Sequence, residues 1–234
     1  SNDETAQPEP RMNRGKRFQH AIDVGGGYGR LSKFLTRYAD RVTLAEPSQQ
    51  QLDIAKQYLK DTPQVSRRLL QAADLQMPDR SADLVMIVRV LHHIPDPMPE
   101  FKEIARVLRP GGLFLLEFAN SAHGLNRLRY GLKRRRVPKA PINARPGDQS
   151  GRRDIPFVNH HPKTVIGMLE LAGFELEAVL SGSNLRSPRL KKLLGRSTLV
   201  MLEKILQPAL APLYFGPSVW LRLRKRPDNL DRHA

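Results

Sequence analysis

Apolar residues in this chain come in short unbroken runs, separated by stretches where they recur every three or four positions. The run His20-Ala21-Ile22-Asp23-Val24 stops at Gly25-Gly26-Gly27, the pattern of a buried strand ending in a tight turn. Over 29–39, Leu31, Phe34, Leu35 and Tyr38 follow helical spacing. Residues 41–45 predict a second strand, and 48–59 a helix with Ser48 as its N-cap. Residues 67–71 predict a third strand and 82–88 a strongly apolar fourth. An amphipathic helix is expected at 99–108 through Phe101, Ile104, Ala105 and Leu108, closed by Arg109-Pro110-Gly111-Gly112. Residues 113–118 predict the fifth strand.

Strands alternating with helices at this pitch imply a doubly wound, mostly parallel sheet with helices on both faces. The rhythm breaks after Phe118. Residues 120–156 are basic and rich in Pro and Gly, and are expected to form an excursion over one end of the sheet. A helix at 162–172, ended by Gly173, and a strand at 174–180 resume the pattern. A second excursion, 183–216, holds the apolar stretch 199–206, and 218–223 alternates like a last strand. Two strands after the first five make seven. The expected organisation is a disordered or non-native leader at 1–17, since the chain opens Ser1-Asn2-Asp3. One domain follows at 18–226 with the two excursions as lids, then a tail at 227–234.

Charge changes the picture through its distribution. The formal net charge is +16. Residues 120–153 hold ten Lys/Arg against one acid, Asp148, and residues 184–226 hold ten against one, Glu203. The strand-and-helix half is therefore near neutral, and the basic excess lies in the excursions and the last strand. That leaves a generic basic surface or an anionic partner open. No apolar run reaches membrane-spanning length and no signal peptide is visible, so the expected location is cytoplasmic, with peripheral membrane contact as an option. The chain contains no cysteine, which excludes disulfides, thiolate adducts of the kind used on cytosine C5, and iron–sulfur radical chemistry.

In a parallel sheet, ligands sit at the carboxyl ends of the strands where strand order reverses. Here the first strand runs into Asp23-Val24-Gly25-Gly26-Gly27-Tyr28-Gly29. The dinucleotide fingerprint fits poorly: counted from Gly25, its third position is Arg30, too bulky for close strand–helix packing. Glu46 follows the second strand, where an acid can accept both hydroxyls of a ribose. Asp74-Leu75 lies in Ala72-Ala73-Asp74-Leu75-Gln76-Met77-Pro78. The fourth strand continues into Arg89-Val90-Leu91-His92-His93-Ile94-Pro95-Asp96, and Leu108-Arg109-Pro110-Gly111-Gly112-Leu113 precedes the fifth.

In these five blocks, taken in order, the chain resembles the class I S-adenosylmethionine-dependent methyltransferases, in the small-molecule branch that includes quinone-biosynthesis enzymes. The resemblance covers roughly 22–118 motif by motif and 22–223 by topology. It implies a seven-stranded sheet of order 3-2-1-4-5-7-6 with the last strand antiparallel, and S-adenosylmethionine as cofactor. It also implies site roles. Asp23 orients the methionine part, and the backbone of Gly25, Gly26, Gly27 and Gly29 approaches the cofactor. Glu46, with Pro47 beside it, takes the ribose. The Asp74 carboxylate and the Leu75 N–H meet the adenine, and the backbone of Arg89 faces the methyl end.

Methyl transfer is an in-line displacement on sulfur, so the protein must supply alignment and, for a hydroxyl acceptor, a base. His92 and His93 are the candidates, with packing at the strand end as the competing role. His160-His161 is a second pair, and no spacing supports a metal site. The fourth strand is followed by Val90-Leu91 rather than by the Asn/Asp-Pro-Pro-aromatic sequence of amino-methylating nucleic-acid enzymes, which disfavours nucleic acid. Tyr130 is the one aromatic residue in the first basic excursion. The expected acceptor is a small molecule; the apolar stretch 199–206 leaves open an ordinary capping helix with a solvated basic face, or an apolar or lipid-like acceptor reached at an anionic membrane surface. Arg134-Arg135-Arg136, Lys191-Lys192 and Arg222-Leu223-Arg224-Lys225-Arg226 are the cations beside it. A nicotinamide-dependent oxidoreductase and a non-catalytic cofactor-binding module remain as alternatives.

Overall fold

The computed structural model describes residues 17–144, 156–182 and 211–227. Seven strands form one sheet of order β3-β2-β1-β4-β5-β9-β8. They are β1 Phe18–Val24, β2 Ala39–Glu46, β3 Val65–Leu69, β4 Ala82–Val88, β5 Leu108–Ala119, β8 Phe174–Gly182 and β9 Ser218–Lys225. A two-stranded ribbon pairs β6 Ile142–Asn143 with β7 Val158–Asn159. Strands β1 to β5 pair in parallel, while β9 runs antiparallel to both neighbours. Counted within the large sheet, the order is 3-2-1-4-5-7-6, as expected from the sequence.

Period two sorts the central strands onto two faces. Ile22, Val24, Val85, Ile87, Phe114, Leu116 and Phe118 face α3 (Met98–Val107) and α5 (Pro162–Leu171), whose Phe101, Ile104, Val165 and Leu169 are buried against them. Ala21, Leu84, Met86, Leu113 and Leu115 face the other way, toward Leu35 of α1 (Arg30–Leu35). Leu44 packs on Leu52 and Ala55 of α2 (Gln49–Tyr58). Both faces being covered explains why the central strands read as continuous apolar runs.

Most boundaries fall within a residue or two of expectation, and Ser48 caps α2 by accepting from the Gln51 N–H at 3.3 Å. Three differ for physical reasons. Helix α1 is short: its N-cap, Gly29, is left-handed (φ 88°), and the chain turns back at Tyr38 N–H→Leu35 O. Strand β3 starts two residues earlier than predicted. It is an edge strand whose residues are mostly exposed, so burial leaves no pattern to read. Strand β5 absorbs Arg109-Pro110-Gly111-Gly112, expected to close a helix, with a register irregularity opposite Ala82/Leu84.

The first excursion has structure of its own: α4 (Gly124–Leu132) and the β6–β7 ribbon. Buried Asn120 fastens its start, donating to Tyr214 O and Gly216 O and accepting from the Ala122 N–H. The predicted leader 1–17 (apart from Arg17), the apolar stretch 199–206, Lys191-Lys192 and the tail from 228 lie outside the described residues. Among those described, no helix is long and apolar enough to cross a membrane.

Candidate active site

Strand order reverses between β1 and β4, and the glycine loop lies at that point. Gly25, Gly27 and Gly29 all have positive φ, the region where a Cβ is disfavoured. Two of them differ in what surrounds them. A Cβ on Gly25 would stand 2.4 Å from Val90 Cγ2, so the residue must be glycine for the loop to pack against the exit of β4. A Cβ on Gly27 would meet nothing nearer than Gln51 Oε1 at 3.7 Å, so its outer face is open to an approaching ligand.

Glu46, at the carboxyl end of β2, turns toward that loop. Its Oε2 accepts from the Gly27 N–H at 2.9 Å and its Oε1 from the Ser48 N–H at 3.0 Å. The side chain is buried, and each oxygen retains a further lone pair for a hydroxyl donor. Pro47 is exposed in the turn that follows. Asp23 lies under the loop rather than in the crevice. It is 1% exposed, accepts from Ser32 Oγ at 2.6 Å, and sits where a Cβ on Gly26 would approach to 2.4 Å. Burial raises its pKa to about 6 despite the Ser32 hydrogen bonds. Asp23 therefore ties β1 to α1 and shapes the loop from below.

Beyond β3 lies the Asp74-Leu75 pair expected at the base. Leu75 is fully buried and its N–H donates to Glu103 Oε1 at 2.8 Å, so that donor is already satisfied by the protein. Asp74 is exposed and forms a one-residue bridge with Gln71. Gln71 and Ala72 directly follow Leu70, whose N–H donates to Glu46 O, which puts them beside the Glu46 end of the crevice.

At the β4 end, Arg89 is exposed and left-handed (φ 60°), an uncommon conformation for a residue with a side chain. Its N–H donates to Glu117 Oε2 at 2.9 Å, and Ser218 Oγ donates to Glu117 Oε1. Glu117 is buried, which raises its pKa. Sequence reasoning passed over Glu117, although it is the single acid in the apolar run from Leu113 to Ala119.

The His92 and His93 rings pack against each other at 3.9 Å between centroids, and His92 packs on Phe157 at 4.6 Å, each pair tilted by 53°. His93 Nδ1 lies 3.1 Å from Pro156 O. Buried His160 donates from Nε2 to Leu91 O at 3.0 Å, pinning the 3-10 turn Leu91–His93 that carries the pair.

A methyltransferase-domain family model matches residues 22–116, from the middle of β1 to the end of β5's apolar run. The crevice just described falls inside that span. Residues 22–116 are therefore similar to a methyltransferase domain. The ubiquinone biosynthesis O-methyltransferase of Xanthomonas oryzae is 30% identical over 161 residues, covering 68% of this chain and 61% of that protein. The chain thus spans less than two thirds of the length of this curated relative. A solved S-adenosylmethionine-dependent methyltransferase from Methanosarcina mazei superposes with TM-score 0.61 at 18% identity, covering 92% of this chain and 95% of that one. The cyclase SpnF also shares the fold, with TM-score 0.58 at 19% identity, covering 91% of this chain and 77% of that one.

The Methanosarcina structure is of an S-adenosylmethionine-dependent enzyme, and the residues present at this crevice fit that cofactor. Gly27 is open on its outer side, and the Glu46 carboxylate beside it has acceptor capacity for two hydroxyls. Arg30, the obstacle to a dinucleotide, is the exposed first residue of α1. The basic residues of the last strand prove remote from this edge. Arg222 and Arg224 pair with Glu177, and Arg224 and Lys225 also bond Gly111 O and Leu108 O, at the amino end of the parallel strands. A small cleft of about 60 Å³ lined by Phe18, Gly111, Leu113, Arg222 and Arg224 lies at that same far end and contains no site residue.

The buried acid beneath the loop gives a pH signature. Its folded-state pKa of about 6 exceeds the ordinary 3.8, so the folded state holds the proton more tightly than the unfolded chain. That contribution is complete below the ordinary value and is lost as pH rises toward 6. Relative to Asp23→Asn, the natural protein is expected to lose roughly 2–3 kcal/mol of stability between pH 4 and pH 7. Thermal melts of both proteins across that window check this; parallel profiles contradict it.

Proposed function

We propose that this protein transfers the methyl group of S-adenosylmethionine to a hydroxyl of a small, apolar, quinone-like acceptor at the carboxyl edge of its sheet. The observation that carries the reading is the Glu46 carboxylate, buried at the strand-order reversal and bonded to the Gly27 N–H. The name of the Xanthomonas relative supports oxygen as the methylated atom and a quinone-like skeleton as the acceptor. The basic segment 120–144, which leaves the carboxyl end of β5 and contains no acid, supports a peripheral position on an anionic membrane.

When bound, the cofactor supplies an electrophilic methyl on a positively charged sulfur. The protein's part is alignment and proton removal. Glu46 and the glycine loop would hold the nucleoside. The Arg89 turn, kept left-handed by Glu117, would border the methyl end. Among the two candidate bases we assign His93. A carbonyl oxygen only accepts, so its contact with Pro156 O requires Nδ1 to carry the proton, which leaves Nε2 with a lone pair for the acceptor hydroxyl. His92, packed between His93 and Phe157, holds that ring in place.

Titration calorimetry with S-adenosylhomocysteine tests the cofactor half. The natural protein is expected to bind, and Glu46→Ala to weaken binding at least about tenfold through loss of charge-assisted hydrogen bonds. Equal affinity in the variant, or preference for a nicotinamide dinucleotide, contradicts the assignment. For the base, transfer of labelled methyl to a quinol-containing lipid extract should fall on the order of a hundredfold in His93→Gln, with S-adenosylhomocysteine affinity unchanged. Full turnover in that variant removes His93 from the mechanism.

A further inference from the structure

Helix α4 is inside out. Leu125, Leu128 and Leu132, spaced i, i+3, i+7, form one stripe along the helix and are 63%, 60% and 79% exposed. The side turned to the protein carries polar groups instead: Asn126, whose Nδ2 donates to Ser121 O at 2.9 Å, and half-buried Tyr130. None of the helix's residues is buried. The stripe continues at the helix start into Phe215, 46% exposed, whose ring lies so close to Gly124 that a Cβ there would approach it to 2.4 Å. Leu213, 55% exposed, stands two residues before Phe215.

The rim of this stripe is cationic. Arg127, Arg129, Lys133, Arg134, Arg135 and Arg136 are all exposed, and residues 120–144 contain no acid. Among the described residues none of these six is in an ion pair. After the helix the chain folds back through Arg134 N–H→Gly131 O and Arg135 N–H→Tyr130 O, with Arg134 left-handed, which keeps the last arginines against the final turn. The helix begins where β5 leaves the sheet, at the same carboxyl edge as the crevice.

We infer that α4 is a docking element for an anionic lipid surface, with its leucine stripe seated among acyl chains and its arginines on the headgroups. An interfacial helix requires an outward apolar face and flanking cations together, and α4 has both. A second copy of this chain would bring two strongly basic surfaces together, which electrostatics opposes. Single-stranded nucleic acid wants a series of exposed aromatic rings among the cations, whereas Tyr130 is half-buried and Phe215 is one ring at the end of a stripe otherwise made of leucine. The inference deepens the proposed function by naming what presents an apolar acceptor to the site, and its test is separate from cofactor binding.

The whole chain is sedimented with vesicles of phosphatidylcholine, alone or mixed with phosphatidylglycerol, at low and high salt. The natural protein should favour the anionic vesicles at low salt by at least about tenfold, and lose that preference as salt rises. A Leu125→Ser, Leu128→Ser, Leu132→Ser variant and an Arg134→Glu, Arg135→Glu, Arg136→Glu variant should each bind at least about tenfold more weakly. Both should keep their S-adenosylhomocysteine affinity, since all six positions are exposed. No preference for anionic vesicles, or a leucine variant that binds like the natural protein, overturns the inference. So does a dimer lost in the leucine variant, or tighter binding to single-stranded RNA than to vesicles. A natural protein that fails to bind S-adenosylhomocysteine would instead contradict the methyltransferase reading, whatever the vesicles show.

Discussion

A carboxylate taken out of water must find donors, and Glu46 finds two backbone N–H groups in two separate turns. One belongs to the loop after β1 and the other to the turn that opens α2. The parallel ladder brings the β1 and β2 exits together as far as the Gly25 N–H→Ala45 O bond, and the carboxylate sets the spacing of the two turns beyond it. The rest of the crevice follows from that spacing. The glycine loop must take positive φ to present Gly27 to Glu46, and Val90 and Leu44 press against it closely enough to exclude any Cβ at Gly25 or Gly26.

The same device recurs at the next strand exit. Glu117, buried at the end of β5, receives the N–H of Arg89 as the chain leaves β4 in a strained turn. Farther along the edge the clamps are neutral: His160 on Leu91 O, and Asn120 on the segment that enters β9. A parallel sheet ends in rows of unpaired backbone groups at its carboxyl edge, and here side chains satisfy them in a way that leaves Gly27 and His93 accessible. Fold alone would not assign a reaction, since a cyclase shares this architecture; the site residues carry the argument.

How much of this was legible in the sequence depended on burial. Strand β4 was read to the residue because both of its faces are covered and its apolar run is unbroken. Strand β3 slipped by two because an exposed edge strand has no alternation to mark its register. That Glu46 and the glycine loop lie together could be read because each stands directly after one of two neighbouring strands. Nothing in the local sequence reveals that Glu103, nearly thirty residues on, accepts from the Leu75 N–H. Helix α4 was missed because its segment, basic and rich in Gly and Pro, reads as a loop, although Leu125, Leu128 and Leu132 keep helical spacing. The cations of β9 looked adjacent to the site in a list of charges, but strand direction sends them to the other end of the sheet.

Amide hydrogen exchange of the Gly27 N–H, followed by NMR, tests the central clamp most directly. The amide should exchange slowly in the free protein, far more slowly than that of exposed Tyr28, and become slower still when S-adenosylhomocysteine is added. A Gly27 amide that exchanges as fast as an open loop and ignores the added nucleoside would contradict the account.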